Sequence, residues 1–268
     1  PSNVFCWLDS AKIAGSSLKT VLRPDDGDWT QAVLKTITSQ TRLAALPHCH
    51  WKDGSLLELK PIADRLKEYG AALVIDTTQS LGAMPLDLDA IQPDFLIAAC
   101  YKWLLGPYST GILYASPQHQ QGQPIEFGWA NRVGAEQFSD LATYEDQYQV
   151  GARRYDMGER SNFALLPPLI TGFQQILNWG IPSIYESIAR LTDLATHQAL
   201  KRGFEVRNKD TRSGHFLGIE LPSTAPRNLI TLLEHKGIFV SLRGTSLRIT
   251  PHVYNTEEDI DVLFSALD

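Results

Sequence analysis

Apolar residues along this chain fall into short runs that end abruptly on polar side chains. Ala71 to Ile75 is one such run, closing on Asp76; Phe95 to Cys100 is another, closing on Tyr101 and Lys102; Gly111 to Ala115 is a third. Runs of this length, bounded by turn residues, are the mark of strands buried on both faces of a parallel sheet. Leu18–Leu22 and Arg42–Pro47 read as earlier strands of the same kind. Between them the period changes to that of a helix. Asp28 caps a helix over Trp29–Ser39, in which Ala32, Val33 and Ile37 share a face, and Leu56–Tyr69 forms an amphipathic helix stopped by Gly70. Pro1 to Ser10 reads as a loop entering a helix, and Pro24 to Asp28 as a turn. Strand and helix alternating from Leu18 to Ala115 predict a βαβ series with a parallel sheet and right-handed crossovers.

Beyond Pro117 the pattern loosens. Gln118–Gln123 is polar, 127–134 mixes aromatic residues with glycine, and Gly151–Asn162 packs charges between glycines ahead of a strongly apolar helix, Phe163–Trp179. Gly180-Ile181-Pro182 breaks that helix, which places a domain boundary there: a large domain over 1–180 and a smaller one over 181–268. The smaller part reads as helix 184–202, strands 204–207 and 215–220, helix 228–236, strands 239–242 and 246–250, and helix 257–267. That mixture is an α+β layer on a mainly antiparallel sheet. Thr256 followed by Glu257, Glu258 and Asp259 is a strong helix start.

Composition narrows the class without identifying the chemistry. Of 268 residues, 43% are hydrophobic and 20% charged, the balance of a globular enzyme-sized chain with ample core. A net charge of −6 with no basic run gives no footprint for nucleic acid. Three cysteines without metal spacing, and no long apolar stretch or signal peptide, point to a reducing cytoplasm. His48-Cys49-His50 has no usual metal-site spacing.

The chemistry enters with Asp76 and Lys102, because open α/β sheets place ligands at the carboxyl ends of their strands. Taken singly, Asp76 is a helix cap and Lys102 a surface lysine. Together at successive strand ends they suit a cofactor that needs an anion at one edge and an amine at another. Pyridoxal 5′-phosphate fits: its aldehyde condenses with a lysine amine, and an aspartate keeps its ring nitrogen protonated.

The segment D-T-T-Q-S-L-G with Asp76, Gln79, Ser80 and Gly82, followed by Tyr101-Lys102-Trp103 and Gly106-Pro107, resembles the class V aminotransferase family of fold-type I enzymes. The resemblance implies a mostly parallel sheet with helices on both faces and a smaller C-terminal α+β domain. It also implies that Lys102 forms the internal Schiff base, Asp76 pairs with the pyridinium nitrogen, Gln79 meets the phenolic oxygen and Tyr101 the phosphate. His50 and Trp51, in the loop at another strand end, become candidate ring contacts. Leu247-Arg248-Ile249-Thr250-Pro251-His252 matches the family's carboxyl-terminal signature, in which the arginine forks onto the substrate carboxylate. Arg243 competes for that role. In the family, the segment corresponding to 151–162 crosses a homodimer interface, and kynureninases show a Gly-Trp pair and a Ser-Asn there, making Trp129 and Asn162 candidate contributions to the partner's cofactor.

Family members carry roughly a hundred further residues ahead of Pro1, supplying a phosphate-binding turn and a ring-stacking aromatic. A truncated, cofactor-free dimerising fragment is accordingly one reading of this chain. The other readings are a transaminase-type enzyme acting on an amino acid and a kynureninase-like or C–S lyase. Gln79 stands against a kynureninase, which usually has histidine there. A desulfurase needs a cysteine on a mobile loop before the arginine motif. Here no cysteine lies between Gly237 and Arg248, the 243–246 connection is short, and Tyr101 replaces the usual histidine.

Overall fold

The computed structural model describes residues 2–268, so Pro1 lies outside it, and the side chain of Ser2 is likewise not described. Strands β1 (Leu43–Pro47), β2 (Ala72–Asp76), β3 (Phe95–Ala99) and β4 (Gly111–Ala115) form one sheet in the order β1-β2-β3-β4. The first three are parallel, and β4 returns antiparallel to β3 with Phe95 opposite Ala115 and Ala99 opposite Gly111. The parallel series therefore stops one strand early. A parallel return needs a long crossover, usually a helix. The Cys100–Thr110 connection is too short for one and folds back on the same edge.

Leu18–Leu22, expected as a strand, has no ladder partner among the described residues. Leu22 is 79% exposed. An apolar β-prone run becomes a strand only where a neighbouring strand receives its backbone groups.

Helix α1 (Ser2–Ile13) belongs to none of the described core clusters, while α2 (Trp29–Thr36), α3 (Leu59–Glu68), α4 (Leu88–Ile91) and α5 (Leu166–Trp179) contribute to the cores around this sheet. Asp28 does cap α2, its carboxylate accepting from the Gln31 amide. Helices α2 and α3 bury Val33, Ile62 and Leu66 against Leu73 and Ile75 on one face of the sheet. Leu169 and Ile176 of α5 pack with Ala98, Cys100 and Trp103 in a separate cluster. Helix α5 begins at Leu166 rather than Phe163 because Asn162 Oδ1 accepts the Ala164 and Leu165 amides, ordering a turn ahead of the helix.

After Gly180 (φ +79°), helix α6 (Ile181–Lys201) runs through both cores. Ile184 and Ile188 join the cluster containing Trp103, whereas Leu191, Ala195 and Ala199 join the second core. That core underlies a fully antiparallel sheet of β5 (Glu205–Val206), β6 (Leu217–Glu220), β7 (Ser241–Arg243) and β8 (Ser246–Ile249), ordered β5-β6-β8-β7. Helices α7 (Leu229–His235) and α8 (Glu257–Leu267) complete it, α8 with a capping box between Thr256 and Asp259. Among the described residues no helix is long and apolar enough to cross a membrane.

Candidate active site

The carboxyl ends of β1, β2 and β3 converge where the sequence changes from apolar to polar. The His48 amide donates to the Asp76 carbonyl (3.0 Å), carrying the β1–β2 ladder one step beyond the strands. On the other side the Thr77 amide donates to the Ile97 carbonyl (2.8 Å) and the Ala99 amide to Thr78 Oγ1 (3.0 Å). The turn carrying Asp76 and Gln79 is thus stitched to both neighbours. Asp76 Oδ1 accepts the Thr78 amide (3.0 Å), which aims the carboxylate out of the sheet.

Two buried histidines hold the same turn at successive residues. His48 Nδ1 lies 2.9 Å from Ser80 Oγ, and His215, which precedes β6, donates from Nε2 to the Gln79 carbonyl (2.6 Å). A carbonyl only accepts, so Nε2 carries the proton and the buried Nδ1 keeps its lone pair without a partner. Burial pushes both histidines down to about 4, so both are neutral. The Gln79 side-chain amide has no hydrogen-bond partner among the described residues, although Gln79 is buried.

Lys102 sits just past β3, half-buried, in a loop closed by the Gly106 amide on the Cys100 carbonyl (2.8 Å) and by Leu105 in the left-handed region at φ +55°. Burial lowers the Lys102 pKa, Arg248 and Arg243 lower it further, and Asp76 opposes them. Those influences bring together four of the residues marked in the sequence. Tyr101 is 38% exposed and stacked on Tyr108 (4.3 Å between centroids), with Lys102 Nζ 5.6 Å from its ring.

Arg248, on β8, lies over the Phe216 ring (4.7 Å). Its Nε is buried without a partner. Cys49 is 1% exposed, and its Sγ is 3.5 Å from Ser213 Oγ. Burial pushes the Cys49 thiol up to about 12, so it is a packing group rather than a thiolate.

The loop 48–54 is anchored by Asp53. This buried carboxylate pairs with Arg23, with Arg207 Nε (3.4 Å) and with His50 Nδ1 (3.4 Å), and accepts from Ser55 amide (3.1 Å) and hydroxyl (2.8 Å). His50 is stacked between Trp29 (5.4 Å) and Trp51 (6.0 Å).

Trp129 and Asn162 are elsewhere. No hydrogen bond, ion pair or ring contact links them to Lys102, Asp76 or Arg248 among the described residues. They share a lobe of their own, in which Arg160 Nη1 donates to the Ala130 carbonyl (2.6 Å) and Trp129 packs on Phe138 (5.9 Å).

Sequence reading missed the second layer: Asp53 with its arginines, His48, His215 and Cys49. The Asp53-Gly54 pair signalled only a turn. Nothing local in the sequence joins it to Arg23 or Arg207.

A family model described as aminotransferase class-V matches residues 1–263. Among curated proteins, the chain is 27% identical to a probable cysteine desulfurase of Staphylococcus epidermidis, over 99% of this chain and 67% of that protein. It is 28% identical to isopenicillin N epimerase of Streptomyces clavuligerus, over 98% of this chain and 70% of that protein. Among solved structures it superposes on apo cysteine desulfurase from Thermococcus onnurineus NA1 with a TM-score of 0.82 at 21% identity, covering 99% of this chain and 69% of that one. It also resembles the cystine C-S lyase C-DES in complex with its reaction product cysteine persulfide (TM-score 0.82, 20% identity, 98% and 71% covered). The chain spans about two thirds of the length of these proteins.

Proposed function

Because the chain belongs to the class-V aminotransferase family, a family of pyridoxal 5′-phosphate enzymes of fold type I, we propose that it acts at the α-carbon of an amino acid with a free carboxylate, as a transaminase. The observation that carries this reading is the half-buried Arg248, whose Nε is buried without a partner and which has no carboxylate partner among the described residues, beside the partly desolvated amine of Lys102. A cation partly out of water calls for an anion.

The residues present fit the cofactor. Gln79 offers a side-chain amide without a partner among the described residues, Asp76 a carboxylate with one oxygen free of the Thr78 amide, and Lys102 an amine held below its usual pKa. When bound, pyridoxal phosphate supplies an aldehyde for amines and a ring that takes up electrons released at the α-carbon. Arg248 fixes the substrate carboxylate and so orients the α-carbon toward Lys102. Lys102 Nζ would serve as the base at the α-proton; its depressed pKa leaves more of it as free amine near neutrality. Asp76 would offset positive charge on the cofactor's ring nitrogen, and His48 and His215 keep the turn carrying it and Gln79 from shifting. We read residues 1–180 as the cofactor-binding portion and 181–268 as the smaller one.

A homodimer is supported by the apolar side chains left in solvent along the lobe of Trp129 and Asn162, among them Ile125 (95% exposed), Tyr144 (89%) and Phe163 (90%). Three free cysteines suit a cytoplasmic setting.

A lyase reaction would share the opening steps, and the relatives named as probable cysteine desulfurases favour it. Against a persulfide carried by the protein, β7 turns into β8 through Gly244-Thr245 with no cysteine, and Cys49 is buried and protonated.

The test is covalent and chemical. Holoenzyme should absorb between roughly 330 and 430 nm and, after borohydride reduction, yield label at Lys102 on peptide mapping. Lys102→Ala should lower turnover by about 10²–10⁴-fold. Keto acid formed together with amino transfer to the cofactor supports the transaminase; ammonia released with loss of the side-chain group supports the lyase. Protein without absorbance or label is the dimerising fragment, and the proposal fails.

A further inference from the structure

The face of the smaller sheet turned toward the site carries more positive charge than one carboxylate can use. In the β7–β8 hairpin, Ser241 lies opposite Arg248 and Arg243 opposite Ser246. Alternate residues of a strand share a face, as do directly opposed residues, so Arg243 and Arg248 are diagonal neighbours on one face, about 7–8 Å apart at the backbone. Leu242, Leu247 and Ile249 take the other face into the core. On β6 the residue opposite Arg248 is Gly218, where a Cβ would come within 2.8 Å of Asp53 Cα. The loop 48–54 is therefore seated on this same polar face. From that loop Lys52 reaches the hairpin turn, its Nζ 3.7 Å from where a Cβ on Gly244 would sit.

Lys52, Lys102, Arg243 and Arg248 have no ion pair among the described residues, whereas the neighbouring Arg23, Arg207 and Arg212 all do. Two of the acids nearby are already engaged, while Asp76 lies close enough to act on Lys102 but is not among the influences on Arg248. Asp53 is held by Arg23, Arg207 and His50, and Glu220, in the same row as Arg243, accepts the Thr245 hydroxyl at 2.6 Å. Arg243 bonds only to the carbonyl of its own neighbour Leu242 (2.9 Å). Like charges gathered on one face repel one another, and the arrangement is complementary to a ligand that brings more than one negative charge.

We infer that the substrate is an acidic amino acid: Arg248 takes its α-carboxylate, and Arg243 with Lys52 takes the carboxylate of its side chain, as in aspartate or glutamate. This rests on the proposed function, with Arg248 in the same role. A guanidinium fork backed by an ammonium suits a planar carboxylate and gains nothing from a neutral amide in its place.

The experiment compares kcat/KM of the holoenzyme for isosteric pairs, glutamate against glutamine and aspartate against asparagine. The acids should lead by about ten- to a hundredfold. Arg243→Gln should bring the ratio close to one, Arg243→Lys should keep part of it, and Lys52→Met should reduce it less. Calorimetry of the resting enzyme with glutarate and butyrate supplies an independent readout. Arg248→Gln should weaken both ligands, whereas Arg243→Gln should weaken glutarate selectively. Equal kcat/KM within each pair, or a ratio that survives Arg243→Gln, overturns the inference while Arg248-dependent butyrate binding keeps the proposed function standing. Failure of every amino acid to react, with neither acid bound, overturns both.

Discussion

At the scale of single residues, the two buried histidines make acid sensitivity a property of the candidate site. His48 and His215 titrate near 4 in the folded protein, because burial disfavours their charged forms, against about 6.5 when unfolded. The unfolded chain then binds more protons between these values, so stability rises with pH across that window and is lost as pH falls through it. Each histidine can contribute up to roughly 3 kcal/mol of that loss by the time pH reaches 4. Urea midpoints should fall from pH 7 to pH 5, and His215→Gln should flatten the slope of stability against pH whatever it does to stability at pH 7. An unchanged slope would mean that the ring charges without strain. None of this was legible in the sequence, where a histidine is only a residue type. Its neutrality comes from burial by residues distant in the chain, against which, at His215, the bond to the Gln79 carbonyl works. Asp76 and Lys102, in contrast, could be read directly, because each ends an apolar run.

At the scale of elements, the strand runs 72–76, 95–99 and 111–115 could be found because burial on both faces leaves continuous apolar sequence. Their directions could not. The antiparallel return of β4 follows from the short connection after Lys102, and the absence of a strand at 18–22 follows from a missing neighbour. Helix boundaries moved by a few residues where side chains such as Asn162 intervened. Close approach of elements is equally invisible in sequence, and Gly172 of α5 shows its effect. Alanine at an ordinary helical glycine gains about 0.5–1 kcal/mol. At Gly172 a Cβ would lie 2.8 Å from the Leu105 carbonyl oxygen and 3.1 Å from that of Leu104, both backbone atoms of the loop after Lys102. Gly172→Ala should therefore destabilise by about 1–3 kcal/mol, reversing the helical preference. Chemical denaturation checks the sign, and a more stable variant would show that the loop yields easily.

At the scale of the whole molecule, Asp53 ties the approach to α2, through Arg23, and the smaller sheet, through Arg207, to the loop at the end of β1. Burial alone would raise its pKa, but hydrogen bonds from His50 and from the Ser55 hydroxyl and amide outweigh it and hold the carboxyl well below the usual range. Its contribution is present above the unfolded value of about 4 and is lost as pH falls below it. Asp53→Asn should cost about 3–5 kcal/mol, since it leaves two guanidinium groups without their anion. Thermal unfolding at pH 7 measures this, and a loss under 1 kcal/mol would show the arginines are satisfied by water.

Helix α6 has a mechanical consequence. A flap swinging on Gly180 would drag Ile184 and Ile188 out of their seat beside Trp103, giving up about 1.5–3 kcal/mol for each side chain exposed. The helix behaves instead as a rigid lever clamped at both ends, so the smaller sheet, with Arg248 and Arg243 on it, keeps a fixed reach to Lys102. On the proposed reading, substrates are then sorted by a ruler of set length rather than by jaws that close to fit them.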